Sequence, residues 1–152
     1  MRVLYPDLIK GLAEIVLRVE DLDLMQRFYA ETLALPFWKR FGDDMAFFKL
    51  SPEVAGRAQA LALFSNRWRS NASGHAWRGF DRTGTTLHHF ALGVELEGLY
   101  LAERLLREAG VPITNATFPW VGWRSIMLQD PEDNVVELVA NDPSVLDAGA
   151  TV

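Results

Sequence analysis

The sequence predicts an α+β fold: two βαβββ modules forming a curved mixed sheet around a central cleft, with helices on the outer face. Two observations carry this. First, the chain of 152 residues partly overlays itself at a shift of 75 (89 − 14, and 137 − 62). Gly11–Val19 falls on Thr86–Val94, and Ala60–Asn66 falls on Val135–Asn141, with no gap at either place. A repeat of this kind fixes the architecture before any single element is considered. Second, each copy runs through the same periodicities: a period-two stretch, a helical stretch, then further strands.

In the first module, residues 12–19 place Ile15, Leu17 and Val19 on one face and Glu14, Val16 and Arg18 on the other. Such alternation is a strand signal. Asp21 and Asp23 offer N-caps for a helix in which Met25, Phe28, Tyr29 and Leu33 recur at helical spacing, and Pro36 bars its continuation. Residues 37–40, 45–50 and 58–64 read as three strands, the first two joined by Gly42-Asp43-Asp44. In the second module, residues 87–94 form the first strand, with Phe90, Leu92 and Val94 on one face. Residues 97–109 are a helix with Leu99, Ala102, Leu106 and Ala109 as its buried stripe, Glu103 paired with Arg107, and Gly110 as its stop. Strands follow at 113–118, 123–129 and 135–140, the last two separated by the turn Asp130-Pro131-Glu132-Asp133-Asn134. We therefore expect a single domain over 1–152, with modules at 11–66 and 86–141 joined by a linker loop at 67–85. The loop between the modules, from Ser65 to Thr85, is long enough to be a lid or a partner-binding arm, and Trp68, Trp77 and Phe80 favour an ordered one.

Composition narrows the function. Hydrophobic residues make up 49% of the chain, so a full core forms and disorder is not expected. Fifteen basic against 20 acidic residues give a net charge of −5, which argues against nucleic-acid and anionic-membrane partners. With no cysteine, disulfides, thiolate metal sites and Cys nucleophiles are excluded. Pro6 and Asp7 interrupt any signal-peptide core, and no stretch approaches the ~20 apolar residues of a membrane span. A soluble cytoplasmic protein is expected.

The overlay pairs Glu14 with His89 and Ala62 with Glu137. Parity sends Glu14, His89 and Glu137 to the face of each sheet away from its helix. If the modules pair about a pseudo-twofold axis, those faces enclose one cavity and the three side chains converge as metal ligands. Read singly, each has a plainer explanation: a strand glutamate is usually solvated or salt-bridged, here to Arg18, Arg124 or Arg40, and a histidine among apolar residues is usually hydrogen-bonded in the core. Matched parity at repeat-equivalent positions favours the ligand reading. His88 has the wrong parity and reads as structural; His75 lies in the loop and reads as solvent-exposed.

These segments are similar to the vicinal oxygen chelate superfamily, which includes glyoxalase I, extradiol ring-cleavage dioxygenases, fosfomycin-resistance transferases, methylmalonyl-CoA epimerase and the bleomycin-resistance proteins. The resemblance rests on Glu14-Ile15-Val16-Leu17-Arg18-Val19-Glu20-Asp21 with Arg27-Phe28-Tyr29, on Leu87-His88-His89-Phe90-Ala91-Leu92, and on residues 130–138, and it spans about residues 10–142. It implies metal ligands at Glu14, His89 and Glu137, with Ala62 at a fourth position used by glyoxalase I and the epimerase. Glu14 stands where the fosfomycin transferases and dioxygenases carry histidine. One imidazole with two carboxylates suits Mn²⁺, Fe²⁺ or Mg²⁺, and also admits Zn²⁺ and Ni²⁺. The open positions would chelate a small substrate through two adjacent oxygens, the metal acting as a Lewis acid, with Glu14 or Glu137 as the catalytic base. Aromatic residues near such a site suggest an apolar substrate body; Trp38, Phe48, Trp120 and Trp123 are the candidate walls, and Arg18 and Arg124 the candidate anion contacts. One of Phe47 and Phe48 must face the core. Lyase, isomerase, transferase and dioxygenase chemistries all fit. The alternative is a metal-free, ligand-sequestering protein of the bleomycin-resistance type, and a small-molecule sensor is a third reading. A homodimer is expected.

Overall fold

Alternation in Glu14–Val19 produces β1, the first strand of a computed structural model that describes residues 12–54, 57–68 and 87–147. The chain divides into two units, Met1–Asp81 and Arg82–Val152, each with its own four-stranded mixed sheet. Of the loop between the modules, Trp77, Phe80 and His75 lie outside the described residues. Among the described residues no helix is long and apolar enough to cross a membrane.

In the first unit, Asp21 accepts from the Leu24 backbone N–H at 2.9 Å and caps α1, Leu22–Arg27. Asp23 is no cap; it pairs with Arg40 at 2.7 Å. The helix continues as a π-helical turn, Phe28–Thr32, and ends before Pro36. Strands β2 (Phe37–Phe41), β3 (Met45–Val54) and β4 (Arg57–Ser65) then return across the sheet, so that β4 runs parallel beside β1 in the order β1-β4-β3-β2. Register sorts the side chains. Ile15–Leu61–Phe48 and Leu17–Leu63–Ala46 form rows on the helix side, where Met25 and Tyr29 are fully buried.

The second unit repeats the order as β5-β8-β7-β6. Strand β5 covers Phe90–Gly93, shorter than the expected 87–94, because its parallel partner β8 (Val135–Asn141) begins only after the 130–134 turn and offers no ladder before Phe90↔Val136. Helix α2, Leu96–Glu108, buries Leu99 and Leu106, but Ala109 lies in its exposed C-cap rather than in the stripe. Gly110 at φ +74° ends it, with Gly110 N–H donating to Arg107 O and Val111 N–H to Leu106 O, the two bonds of a Schellman stop. Strands β6 (Thr114–Phe118) and β7 (Trp123–Gln129) complete the sheet. Phe90, Ile126, Leu128, Val136 and Leu138 are buried on the helix side.

Candidate metal centre

On the helix-free face of the second sheet, cross-strand rows run Ala91–Glu137–Met127 and then Gly93–Val139–Ser125. His89 stands two residues before Ala91 and shares its parity. Position on β8 is set by Asp130, whose carboxylate accepts from Glu132 N–H, Asn134 N–H and the Asn134 side chain at 2.8–2.9 Å. That turn fixes where β8 starts and so which face Glu137 takes.

Glu137 is 4% exposed. Its Oε2 lies 3.2 Å from His89 Nε2, and its Oε1 is buried without a hydrogen-bond partner. The other ring nitrogen of His89, Nδ1, lies 2.7 Å from Nδ1 of His88, so one histidine donates to the other. The residue read as merely structural thus orients a candidate ligand. An unpartnered oxygen on a buried carboxylate costs about 1–3 kcal/mol or more, a cost that a bound cation or donor would offset. The donors fit a divalent ion: two atoms each about 2.1 Å from one ion and about 100° apart stand about 3.2 Å from each other. Imidazole nitrogen with carboxylate oxygen suits first-row divalent metals.

In the first sheet, Val16↔Ala62 occupies the register that Ala91↔Glu137 occupies in the second, and Glu14 precedes Val16 as His89 precedes Ala91. The overlay read from the sequence is therefore also an equivalence of register. Glu14 is exposed, and Ala62 is buried and offers no ligand. The structure brings His89 and Glu137 together. Among the described residues no group of three His, Asp or Glu side chains forms, and Glu14 belongs to the other unit.

The other candidates separate by face. Phe48 is a correction: it is 0% exposed, packed against Tyr29 and Phe37, and belongs to the helix-side core. Phe47 takes the opposite face, in a cluster with Phe41, Phe64 and Trp38. Trp38 reaches that cluster because the β2–β3 register slips by one residue between Phe37 and Lys39, a bulge that re-aims the indole. Lys49 Nζ stands 5.0 Å above its ring. Arg18 is on the helix-free face as expected, but its guanidinium donates to the backbone carbonyls of Ser65 and Trp68, tying down the end of β4. Burial lowers its pKa. Arg124 is a second correction: it lies on the helix side, its Nε 2.7 Å from buried Asp142 Oδ2 and its guanidinium 6.0 Å from the Tyr100 ring of α2. Trp120 is 68% exposed in the β6–β7 turn, while Trp123 pairs with Asn141 on the helix-free face. Ser125 was missed. It is 0% exposed, its hydroxyl has no partner, and it shares the Glu137 face; the available signal was one hydroxyl of odd parity in an otherwise apolar stretch, Ser125-Ile126-Met127-Leu128.

No family model and no curated protein matches the chain. Solved structures do. Lactoylglutathione lyase from Agrobacterium tumefaciens aligns with a TM-score of 0.66 and 23% identity, over 87% of this chain and 94% of that one. A glyoxalase/dioxygenase from Nostoc punctiforme aligns with a TM-score of 0.65 and 21% identity, over 93% and 97%. A mutant of the fosfomycin resistance protein FosX from Listeria monocytogenes, complexed with Mn(II) and 1S,2S-dihydroxypropylphosphonic acid, aligns with a TM-score of 0.55 and 21% identity, over 86% and 91%.

Proposed function

We propose that this chain, which has the vicinal oxygen chelate fold, is a divalent-metal enzyme acting on a small oxygenated molecule by lyase, isomerase or ring-cleavage dioxygenase chemistry. The observation that carries the reading is Glu137: a buried carboxylate with one oxygen on His89 and the other without a partner. His89 Nε2 and the Glu137 carboxylate would hold the ion, and Glu14, the repeat equivalent of His89, is the candidate for a further ligand. When bound, the ion supplies Lewis-acid stabilisation of oxyanion charge. His88 holds the His89 ring in orientation, and Glu137 or Glu14 takes the proton that the reaction releases. The FosX likeness supports Mn²⁺ among the candidates Fe, Mn, Zn, Ni and Mg, since that protein carries Mn(II) in its complex. A homodimer belongs to the same reading, and sedimentation velocity would register it.

The aromatic cluster of Trp38, Phe41 and Phe47, with Trp38 and Phe41 well exposed, favours a second reading, a metal-free protein that sequesters an apolar ligand. Elemental analysis of the purified protein, before and after reconstitution, separates the two. The enzyme reading expects about one equivalent of metal, and less than roughly a tenth of an equivalent would sink it. Oxygen uptake on a catechol panel then distinguishes dioxygenase from lyase or isomerase.

A further inference from the structure

Ser125 Oγ and Glu137 Oε1 are both buried, both without partners, and diagonal to each other on adjacent strands of one sheet face. At the end of that sheet, an open groove of ≈ 500 Å³ is lined by Gly93, Trp123, Val139 and Asn141 of the same face, together with Val94, Glu95 and Ala140. Val139, which lines the groove, is the cross-strand partner of Ser125, which places the groove next to the buried hydroxyl. Its volume falls in the range of small-molecule sites.

We propose that Ser125 and Glu137 Oε1 select an uncharged, hydroxyl-bearing ligand whose flat apolar body lies in this groove over Gly93 and against Trp123; the inference rests on the reading of His89 and Glu137 as the reactive centre. The donor and acceptor inventory sets the class. An ionised carboxylate only accepts, whereas a serine hydroxyl donates and accepts. A ligand hydroxyl answers both: it donates its proton to Glu137 Oε1 and accepts from Ser125 Oγ–H. A carboxylate or phosphonate oxygen has no proton for Oε1 and meets like charge there, and Glu95 adds a second negative charge at the groove. Trp123 supplies an apolar face for a ring. Gly93 leaves room for it, since a Cβ built there meets nothing within 4 Å.

Phenol and benzoate present the same ring with a hydroxyl or a carboxylate, and serve as probes of the full-length, isotope-labelled protein by amide chemical shift. Phenol is expected to shift Gly93, Ser125 and Asn141 saturably, with benzoate about 10-fold weaker, the equivalent of one hydrogen bond to a charged group. Ser125→Ala is expected to weaken phenol several-fold and narrow the gap while leaving the unfolding midpoint unchanged or raised. Gly93→Val should block phenol by filling the groove. Equal or tighter benzoate binding overturns the proposal. So does a Ser125→Ala variant that binds phenol like wild type, which would mean that the two buried atoms share only a structural water. Mn(II) titration of the same samples keeps the two readings apart. Phenol discrimination without Mn(II) binding supports this inference and removes the metal; Mn(II) binding without phenol discrimination does the reverse.

Discussion

Glu137 combines two properties that conflict in a purely structural residue, burial and an unpartnered charged oxygen. Removing the charge should therefore stabilise the ligand-free protein: Glu137→Gln is expected to raise stability by about 1 kcal/mol, read from thermal unfolding. A lower midpoint would mean that the carboxylate is already satisfied. Asp142 is the contrasting case. Ser144 Oγ and Arg124 donate to it and hold its carboxyl below the usual Asp range. A depressed folded value contributes stability that is complete above the unfolded value, about 4, and is lost as pH falls through the folded one. Asp142→Asn should flatten the acid limb, so that its Tm falls less than wild type on going from about pH 5 to pH 2. An unchanged slope would contradict the pairing. The sequence made the parity of Glu137 legible, because period-two alternation leaves only two faces. It did not reveal the role of Arg124, read as an anion contact, since its partner Asp142 lies 18 residues on, beyond the last strand. Phe48 could have been placed: its face carries Ala46 and Leu50, whereas the Phe47 face carries Lys49.

Two elements position the site. The Asp130 turn sets the start of β8 through three bonds to one buried carboxylate. Asp130→Ala should cost about 2–3 kcal/mol and weaken any ligand that needs Glu137, both measurable on one sample. Helix α2 covers the opposite face through Leu99 and Leu106. Leu99→Ala should cost about 2–5 kcal/mol by leaving a cavity, in denaturant unfolding, without altering the helix-free face. Helix α2 and its Gly110 stop were legible because a 3.6-residue stripe, an i,i+4 pair and a terminal glycine agree. The ends of β5 and the bulge at Trp38 were not, because they depend on the neighbouring strand: β5 starts where β8 gives it a ladder, and Trp38 is displaced by a slip against β3.

Across the whole molecule the repeat is the deepest regularity. One shift relates two sheets of identical strand order, and within them it relates Val16↔Ala62 to Ala91↔Glu137. The copies differ at the candidate site. The second carries histidine and a buried glutamate; the first carries Glu14, Ala62 and an aromatic cluster around Phe47. Repeat equivalence was visible in the sequence because it needs only an alignment of apolar periods. The candidate ligand pair needed geometry as well, since only the structure sets Oε2 of Glu137 beside Nε2 of His89 and leaves Oε1 unpartnered. The most direct test is Mn(II) affinity of the metal-stripped protein, compared between wild type, His89→Ala and Glu137→Ala with circular dichroism confirming the fold. One site per chain, weakened about 100-fold or more by either substitution, is the predicted result; folded variants that bind Mn(II) as tightly as wild type would contradict a metal centre at His89 and Glu137.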